Sequence, residues 1–377
     1  MKEKCKQLFH PLCVKGLVQT MEYDYSVIVE DLLQWFQKNA RELPWRGPKN
    51  PYYTWVSEIM LQQTRVEAVK EYFLRFVKEL PNIQALAEVE EDKLLKLWEG
   101  LGYYNRVKNM QKAAIQMMEQ YDGKLPADYK ELLKLKGIGT YTAGAIASIA
   151  YEIPVPAVDG NVLRVAKRLA ADYDDIAKPS VKKELEETLK SIMPKGHSGA
   201  FNQSLMELGA IVCLPNGAPL CEKCPVQKYC RAYREDVVME LPIKTKKKAR
   251  TIEEKTVFLI EYQNRYALHQ RGQTGLLAGL WELPNIEGRY KEEQVKEFLL
   301  QSHLPVVEIQ SLGEAKHIFT HKEWHMWGYA VKISSEAVKN TGRNNSFSKL
   351  VWAGKEEIKE KYALPSAFHA YRKFLGI

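Results

Sequence analysis

From Tyr25 to about Tyr233 the apolar residues recur at helical intervals. Val56, Ile59, Met60, Val66, Val69, Phe73 and Phe76 repeat near a 3.6-residue period, which predicts one long amphipathic helix. Phe201, Leu205, Leu208 and Val212 form a similar stripe that ends at Cys213. Breaks are expected at Pro44, at Pro81-Asn82, at Asp122-Gly123 and from Ile153 to Gly160, which holds two prolines. Then the period changes. Thr256 to Tyr262 is short, β-branched and aromatic, as a strand should be; Trp327 to Val331 is a second candidate, and Glu292 to Leu300 reads as a helix. Between the two regimes Lys244, Lys246, Lys247, Lys248 and Arg250 crowd together with almost no apolar content. They read as a solvated linker, which is compatible with contact to a phosphate backbone. The expected organisation is multi-domain: an extension over 1–24 with no assigned function, an all-α domain over 25–234, a basic linker over 235–253, and an α+β domain over 254–377.

The length of 377 residues exceeds one ordinary core, and 45% apolar with 27% charged residues argues against disorder. The longest apolar stretches, such as Ala143 to Tyr151, fall short of the roughly 20 residues of a membrane helix. The first 25 residues hold His10, Pro11 and scattered charges where a signal peptide needs an apolar run. No membrane span is expected, and a cytosolic location is. The net charge of +8 is compatible with a nucleic-acid partner without establishing one. Cys5 and Cys13 are scattered, whereas Cys213-x7-Cys221-x2-Cys224-x5-Cys230 packs four thiols into 18 residues. In a cytosolic chain that spacing points to metal. Thiolates suit zinc or an iron–sulfur cluster equally, and spacing alone does not choose.

Three further patterns carry chemistry. Leu135 to Thr140 places Gly137 and Gly139 between two helical runs, so the backbone turns sharply and presents N–H groups at a helix start. Such a nest binds phosphate; its ordinary alternative is a tight interhelical turn. Asp159 precedes an amphipathic run with Val162, Val165, Ala166 and Leu169 on one face. It belongs at a helix N-cap, where the positive helix end favours an ionised carboxylate, as a group facing a developing cation must be. Glu58 lies among apolar neighbours, where burial would raise a carboxyl toward the range of a general acid, unless it is a surface glutamate. Gln62 and Gln63 are uncharged and able to hydrogen-bond base edges.

Taken together, the motifs resemble the MutY-type adenine DNA glycosylases of the helix-hairpin-helix superfamily, which also holds endonuclease III. Pro44-Trp45-Arg46, Glu58 to Thr64, Gly100-Leu101-Gly102-Tyr103-Tyr104, the Gly137/Gly139 hairpin, Val158-Asp159-Gly160-Asn161-Val162 and the cysteines carry the likeness, in the expected order over about Tyr25 to Tyr233. The resemblance implies a monomeric base excision repair enzyme that acts at the nucleoid on duplex DNA. It would flip out adenine paired with 8-oxoguanine or guanine and hydrolyse its N-glycosidic bond. Glu58 would protonate adenine, Asp159 would stabilise the oxocarbenium-like sugar, and Tyr141 and Asn161 would line the site and help position Asp159. Gln63 and Tyr103 would fill or wedge the stack, and the cysteines would hold a [4Fe–4S] cluster. The first cysteine interval is seven residues where the family commonly has six. Endonuclease III has a lysine at the position of Tyr141; without an amine there, its strand-cleavage route is closed. A bifunctional lyase or a non-catalytic damage sensor is therefore the alternative reading. Leu277 to Pro284 resembles part of a Nudix-like domain that reads 8-oxoguanine, but the glutamate-rich box of Nudix hydrolases does not follow it. Phe319-Thr320-His321 stands where the family usually has Phe-Ser-His, which points to Thr320 and His321 as readers of the lesion edge.

Overall fold

The structure, a computed structural model, describes residues 22–47, 49–245, 249–334 and 350–377. Most of the N-terminal extension, with Cys5 and Cys13, and Lys246, Lys247 and Lys248 of the basic segment lie outside the described residues. Helices come first: α1 (Val29–Asn39), α2 (Pro51–Leu61), α3 (Val66–Glu79), α4 (Ile83–Glu88), α5 (Glu91–Leu97), α6 (Asn105–Gln120), α7 (Tyr129–Leu132), α8 (Thr140–Tyr151), α9 (Gly160–Ala170), α10 (Pro179–Ser191), α11 (Ser198–Ile211) and α12 (Arg231–Arg234). Strands follow, with α13 (Glu292–Gln301), α14 (Lys355–Lys361) and α15 (His369–Arg372) among and after them. Among the described residues no helix is long and apolar enough to cross a membrane.

The helix expected across Val56 to Phe76 is in fact two, α2 and α3. Gln62 leaves helical ψ at the end of α2, and Gln63 has φ 59, a left-handed conformation through which the helical ladder cannot run. The apolar period survives the break because both helices face the core: α3 buries Val69, Phe73 and Phe76, and α2 buries Thr54 through Met60. The stripe from Phe201 is α11, and it ends one residue before Val212. The proline-bearing stretch before Gly160 carries no helix or strand, the break expected there.

By packing, residues 22–40 with Pro154–Thr245 form one compact unit, and Arg41–Ile153 with 249–377 form another. In the first, Ile28, Leu32, Val162, Val165, Leu185, Phe201 and Leu205 make the core. In the second, α2 packs on α8 and α3, and α4 on α6. Its sheet contains β1 (Thr251–Tyr262), β2 (Arg265–Gln270), β3 (Trp281–Glu282), β4 (Asn285–Glu287), β5 (Val306–Ile318), β6 (Lys322–Ile333) and β7 (Leu350–Ala353). The order is β3-β2-β1-β6-β5, with β4 on β1 and β7 on β2; β1 and β6 are parallel. Alternation along β1 sends Val257 and Leu259 to one face, with Trp324, Phe368 and Tyr371. Phe258 and Ile260 go to the other, with Val295 and Leu299 of α13.

A half-buried polar seam ties this sheet to the helices of its own unit. Glu99 accepts from Arg372 (2.7 Å) and from the Leu364 N–H (3.1 Å), and pairs with Lys96 (2.6 Å). Lys96 also donates to the carbonyls of Ile358 (3.3 Å) and Tyr362 (3.1 Å). The chain segment just before Tyr103 is thus fixed from the side of the sheet.

Candidate active site

Glu58 sits in the last turn of α2, which starts at a well-made N-terminus. Asn50 accepts from the N–H groups of Tyr52 (2.9 Å) and Tyr53 (3.3 Å), and Pro51 takes the first helical position. The surface reading of Glu58 does not hold, because the residue is only 7% exposed. A buried carboxyl needs hydrogen-bond partners. Tyr141, in the first turn of α8, donates its hydroxyl to Glu58 Oε2. The next residue, Thr142, accepts from Gln62 Nε2 (3.4 Å). Residues 80 apart in sequence are therefore joined at one place.

The hairpin before α8 is built as its glycines suggest, for two separate reasons. Gly137 has φ 79, and a Cβ there would lie 2.7 Å from Asn109 Cβ, so both conformation and space exclude a side chain. Gly139 is extended at the N-cap of α8, with open space where a Cβ would point. That leaves room for a ligand's backbone.

Gln63 and Tyr103 are both exposed and both left-handed, with φ 59 and 49. Tyr103 shares a hydrogen bond with Thr320 (hydroxyl to Oγ1, 3.0 Å), in the turn between β5 and β6. Tyr103, Thr320 and His321 line one open groove of about 920 Å³. His317 also lines it, packed edge-on against Phe319 with ring centroids 4.6 Å apart. Burial pushes the His317 imidazole below its ordinary range, which favours the neutral ring. Its exposed neighbour His321 marked the groove in the sequence; the half-buried His317 did not.

In the other unit Asp159 is the N-cap of α9. Oδ1 accepts from the N–H groups of Asn161 and Val162, both 2.8 Å, and Oδ2 accepts from the Asn161 side chain at 2.8 Å. Burial pushes the carboxyl above its ordinary value, while those three bonds and the Arg164 charge pull it back. The net direction is up, against the expectation from the helix end alone. Desolvation of the charged form outweighs the dipole here.

From Asp159 a hydrogen-bonded chain leads to the cysteines. Arg164 donates to Asn161 Oδ1 (2.9 Å), to the Gly209 carbonyl (2.7 Å) and to the Cys213 carbonyl (2.9 Å). Gly209 makes this possible, since a Cβ there would lie 2.6 Å from Asn161 Cβ. Arg168 donates to Cys213 Sγ (3.3 Å) and to the carbonyls of Leu214 (2.9 Å) and Leu241 (2.8 Å). Sequence reasoning missed both arginines. Their signal is cations spaced four apart on a helix whose second face is also buried, Arg164 at 7% and Arg168 at 4% exposure.

Cys213, Cys221, Cys224 and Cys230 line one small cavity with the apolar side chains of Val165, Leu169, Leu208, Val212 and Val226. Among the described residues no three His, Cys, Asp or Glu side chains are drawn together around a single ion. Burial pushes the thiols of Cys221, Cys224 and Cys230 up, Cys224 to about 12, so any metal must displace their protons.

Residues 56–191 match the HhH-GPD superfamily of base excision DNA repair proteins, and residues 256–373 match the NUDIX domain. The chain is 36% identical over 297 residues to the adenine DNA glycosylase of Buchnera aphidicola subsp. Baizongia pistaciae, covering 78% of this chain and 83% of that protein. It is 35% identical over 356 residues to that of Mus musculus, covering 79% and 69%. For the protein of the same description from Buchnera aphidicola subsp. Schizaphis graminum the figures are 35% over 306 residues, 80% and 87%. The chain belongs to the adenine DNA glycosylase family of base excision DNA repair proteins.

Proposed function

We propose that this chain is a monofunctional glycosylase that releases adenine paired with 8-oxoguanine or guanine in duplex DNA. The hydrogen bond from Tyr141 to Glu58 carries the reading. It joins the hairpin helix to a buried carboxyl through a phenol, at the position where a lyase would need an amine. A phenol forms no Schiff base, so strand cleavage by that route is absent.

The adenine leaves the stack at a cost of a few kcal/mol. Glu58 gives a proton to N7, the C1′–N9 bond breaks, and its electron pair departs with the base. Asp159, held by its helix end and by Asn161, faces the growing positive charge on the sugar as an anion. Water adds to C1′ and loses a proton, which leaves an abasic site. This divides acid and anion between two carboxyls, as in glycoside hydrolysis. Gln62 and the Gly137/Gly139 hairpin hold the strand, Gln63 and Tyr103 enter the stack, and Thr320 and His321 read the edge of the opposing base.

We assign the sulfur-ringed cavity to a [4Fe–4S] cluster. Four thiols along one apolar wall, in a spacing close to that of the family's cluster loop, support that reading, and Cys213, Cys221, Cys224 and Cys230 would hold the cluster. When bound, the cluster supplies a structural cross-link between the end of α11 and the start of α12. Arg168 sets a positive charge beside Cys213 Sγ.

The test is Glu58→Gln. Base release should fall about 10²–10⁴-fold, the range of general acid catalysis, with duplex affinity unchanged. Near-normal turnover in that variant overturns the assignment.

A further inference from the structure

Gln63 and Tyr103 stand in two loops 40 residues apart, and both pay for exposure with left-handed backbone, as does Gly102 at φ 69. For residues with a Cβ such strain costs about 1–3 kcal/mol each, and it persists only where the surroundings over-determine it. One side chain meets both loops. Arg106, in the first turn of α6, donates Nη1 to the carbonyls of Ile59 (2.5 Å), Met60 (3.1 Å) and Gln62 (2.6 Å). These are carbonyls at the end of α2, where a helix leaves acceptors without intrahelical donors and its dipole favours a cation. Arg106 Nη2 donates to Leu101 (3.3 Å) and Gly102 (3.1 Å), directly before Tyr103. The same guanidinium lies 5.3 Å from the Trp98 ring centroid and 5.6 Å from that of Tyr103.

We propose that Arg106 is a positioning residue that fixes Gln63 and Tyr103 at one spacing, so that both enter the duplex together beside the extruded nucleotide. The inference rests on the glycosylase reading given above. Only a planar fork with several donors spans both loops. A lysine ammonium keeps the charge but reaches one loop at a time. Arg106 touches neither sugar nor base in this scheme and acts only through the two residues it holds.

The test compares Arg106→Lys with the unsubstituted full-length protein on two duplexes. One carries adenine opposite 8-oxoguanine in a fully paired helix. The other carries the same pair flanked by mismatches, where the stack is already open. Arg106→Lys should lose about 10- to 100-fold in single-turnover base release on the paired duplex, the scale of a misplacement near 1 Å. It should approach the unsubstituted rate on the open one. With 2-aminopurine in place of adenine, its fluorescence gain on binding the paired duplex should shrink in parallel. Gly102→Ala strains the Tyr103 loop without touching Arg106, since a Cβ there meets nothing within 4 Å, and it must show the same selective loss. Equal losses on both duplexes, or none on either, in Arg106→Lys or in Gly102→Ala if Arg106→Lys fails to fold, overturn the proposal. If the unsubstituted protein releases no adenine from either duplex, the glycosylase reading fails, and the inference falls with it.

Discussion

Glu58 and Asp159 are both shielded carboxyls on helices, yet their settings differ in kind. Asp159 sits at a helix N-terminus, with two backbone N–H groups and an amide on its oxygens and an arginine behind the amide. Glu58 sits in the last turn of its helix, far from the N-terminal N–H groups, and receives a phenol. The first setting gives a carboxylate three hydrogen bonds and a nearby cation, yet burial still raises the carboxyl above its ordinary value. The second encloses a carboxyl in a helix against a phenol. The reading proposed above gives the two carboxyls different parts, acid and anion.

The largest expected effect comes from removing the anion. Asp159→Asn keeps the cap, since asparagine caps as well as aspartate, but removes the charge. Base release should fall about 10²–10³-fold, as when a preorganised charge partner is lost. Single-turnover assays at saturating enzyme measure it, and a fall of less than about fivefold would remove Asp159 from the anion role.

A middle effect comes from the chain behind Asp159. Arg164→Met leaves Asn161 without the donor that orients it and the Cys213 carbonyl without its partner. Iron content and base release should both drop, by about 10–100-fold for activity, as for outer-shell partners of metal ligands. Loss of iron with full activity would separate the two halves of that chain.

A smaller effect belongs to the other unit. Thr320→Val removes the hydroxyl that meets Tyr103. The preference for 8-oxoguanine over guanine opposite adenine should fall about three- to tenfold, the scale of one hydrogen bond. The rates on the two duplexes give the ratio, and an unchanged ratio removes Thr320 from the reading role.

The smallest effect is on stability and has a definite sign. Asp159 is raised in the folded protein by burial, so the fold holds its proton more tightly than the unfolded chain does. That favourable contribution is complete below the unfolded value near 3.9 and is lost as pH rises through the folded value. Asp159→Asn carries no such loss. Its Tm relative to the unsubstituted protein should therefore climb from acid to neutral pH, and a relative Tm that falls over this range would mean that the hydrogen bonds outweigh burial.

Much of this was legible in the sequence, because the features concerned are local. The Gly137 turn, the Asp159 cap and the cysteine spacing each depend on residues within one or two turns. The α2–α3 break was not legible, because Gln63 carries no sequence mark of a left-handed conformation; Arg106 of α6, 44 positions beyond Gln62, donates to the Gln62 carbonyl just before it. Arg164 was not legible as a linking residue, since its acceptors at Gly209 and Cys213 lie 45 and 49 positions away. The packing of Arg41–Ile153 with the C-terminal sheet depends on the Glu99 seam, whose partners lie beyond residue 355.

The central claim is that adenine leaves by hydrolysis with no covalent attack by an amine. The direct measurement is product analysis on a duplex with adenine opposite 8-oxoguanine, under single-turnover conditions. The account predicts one equivalent of free adenine, a strand that stays intact until alkali is added, and no protein–DNA adduct on borohydride treatment. Strand scission before alkali, or a borohydride-trapped adduct formed at the rate of base release, would contradict it.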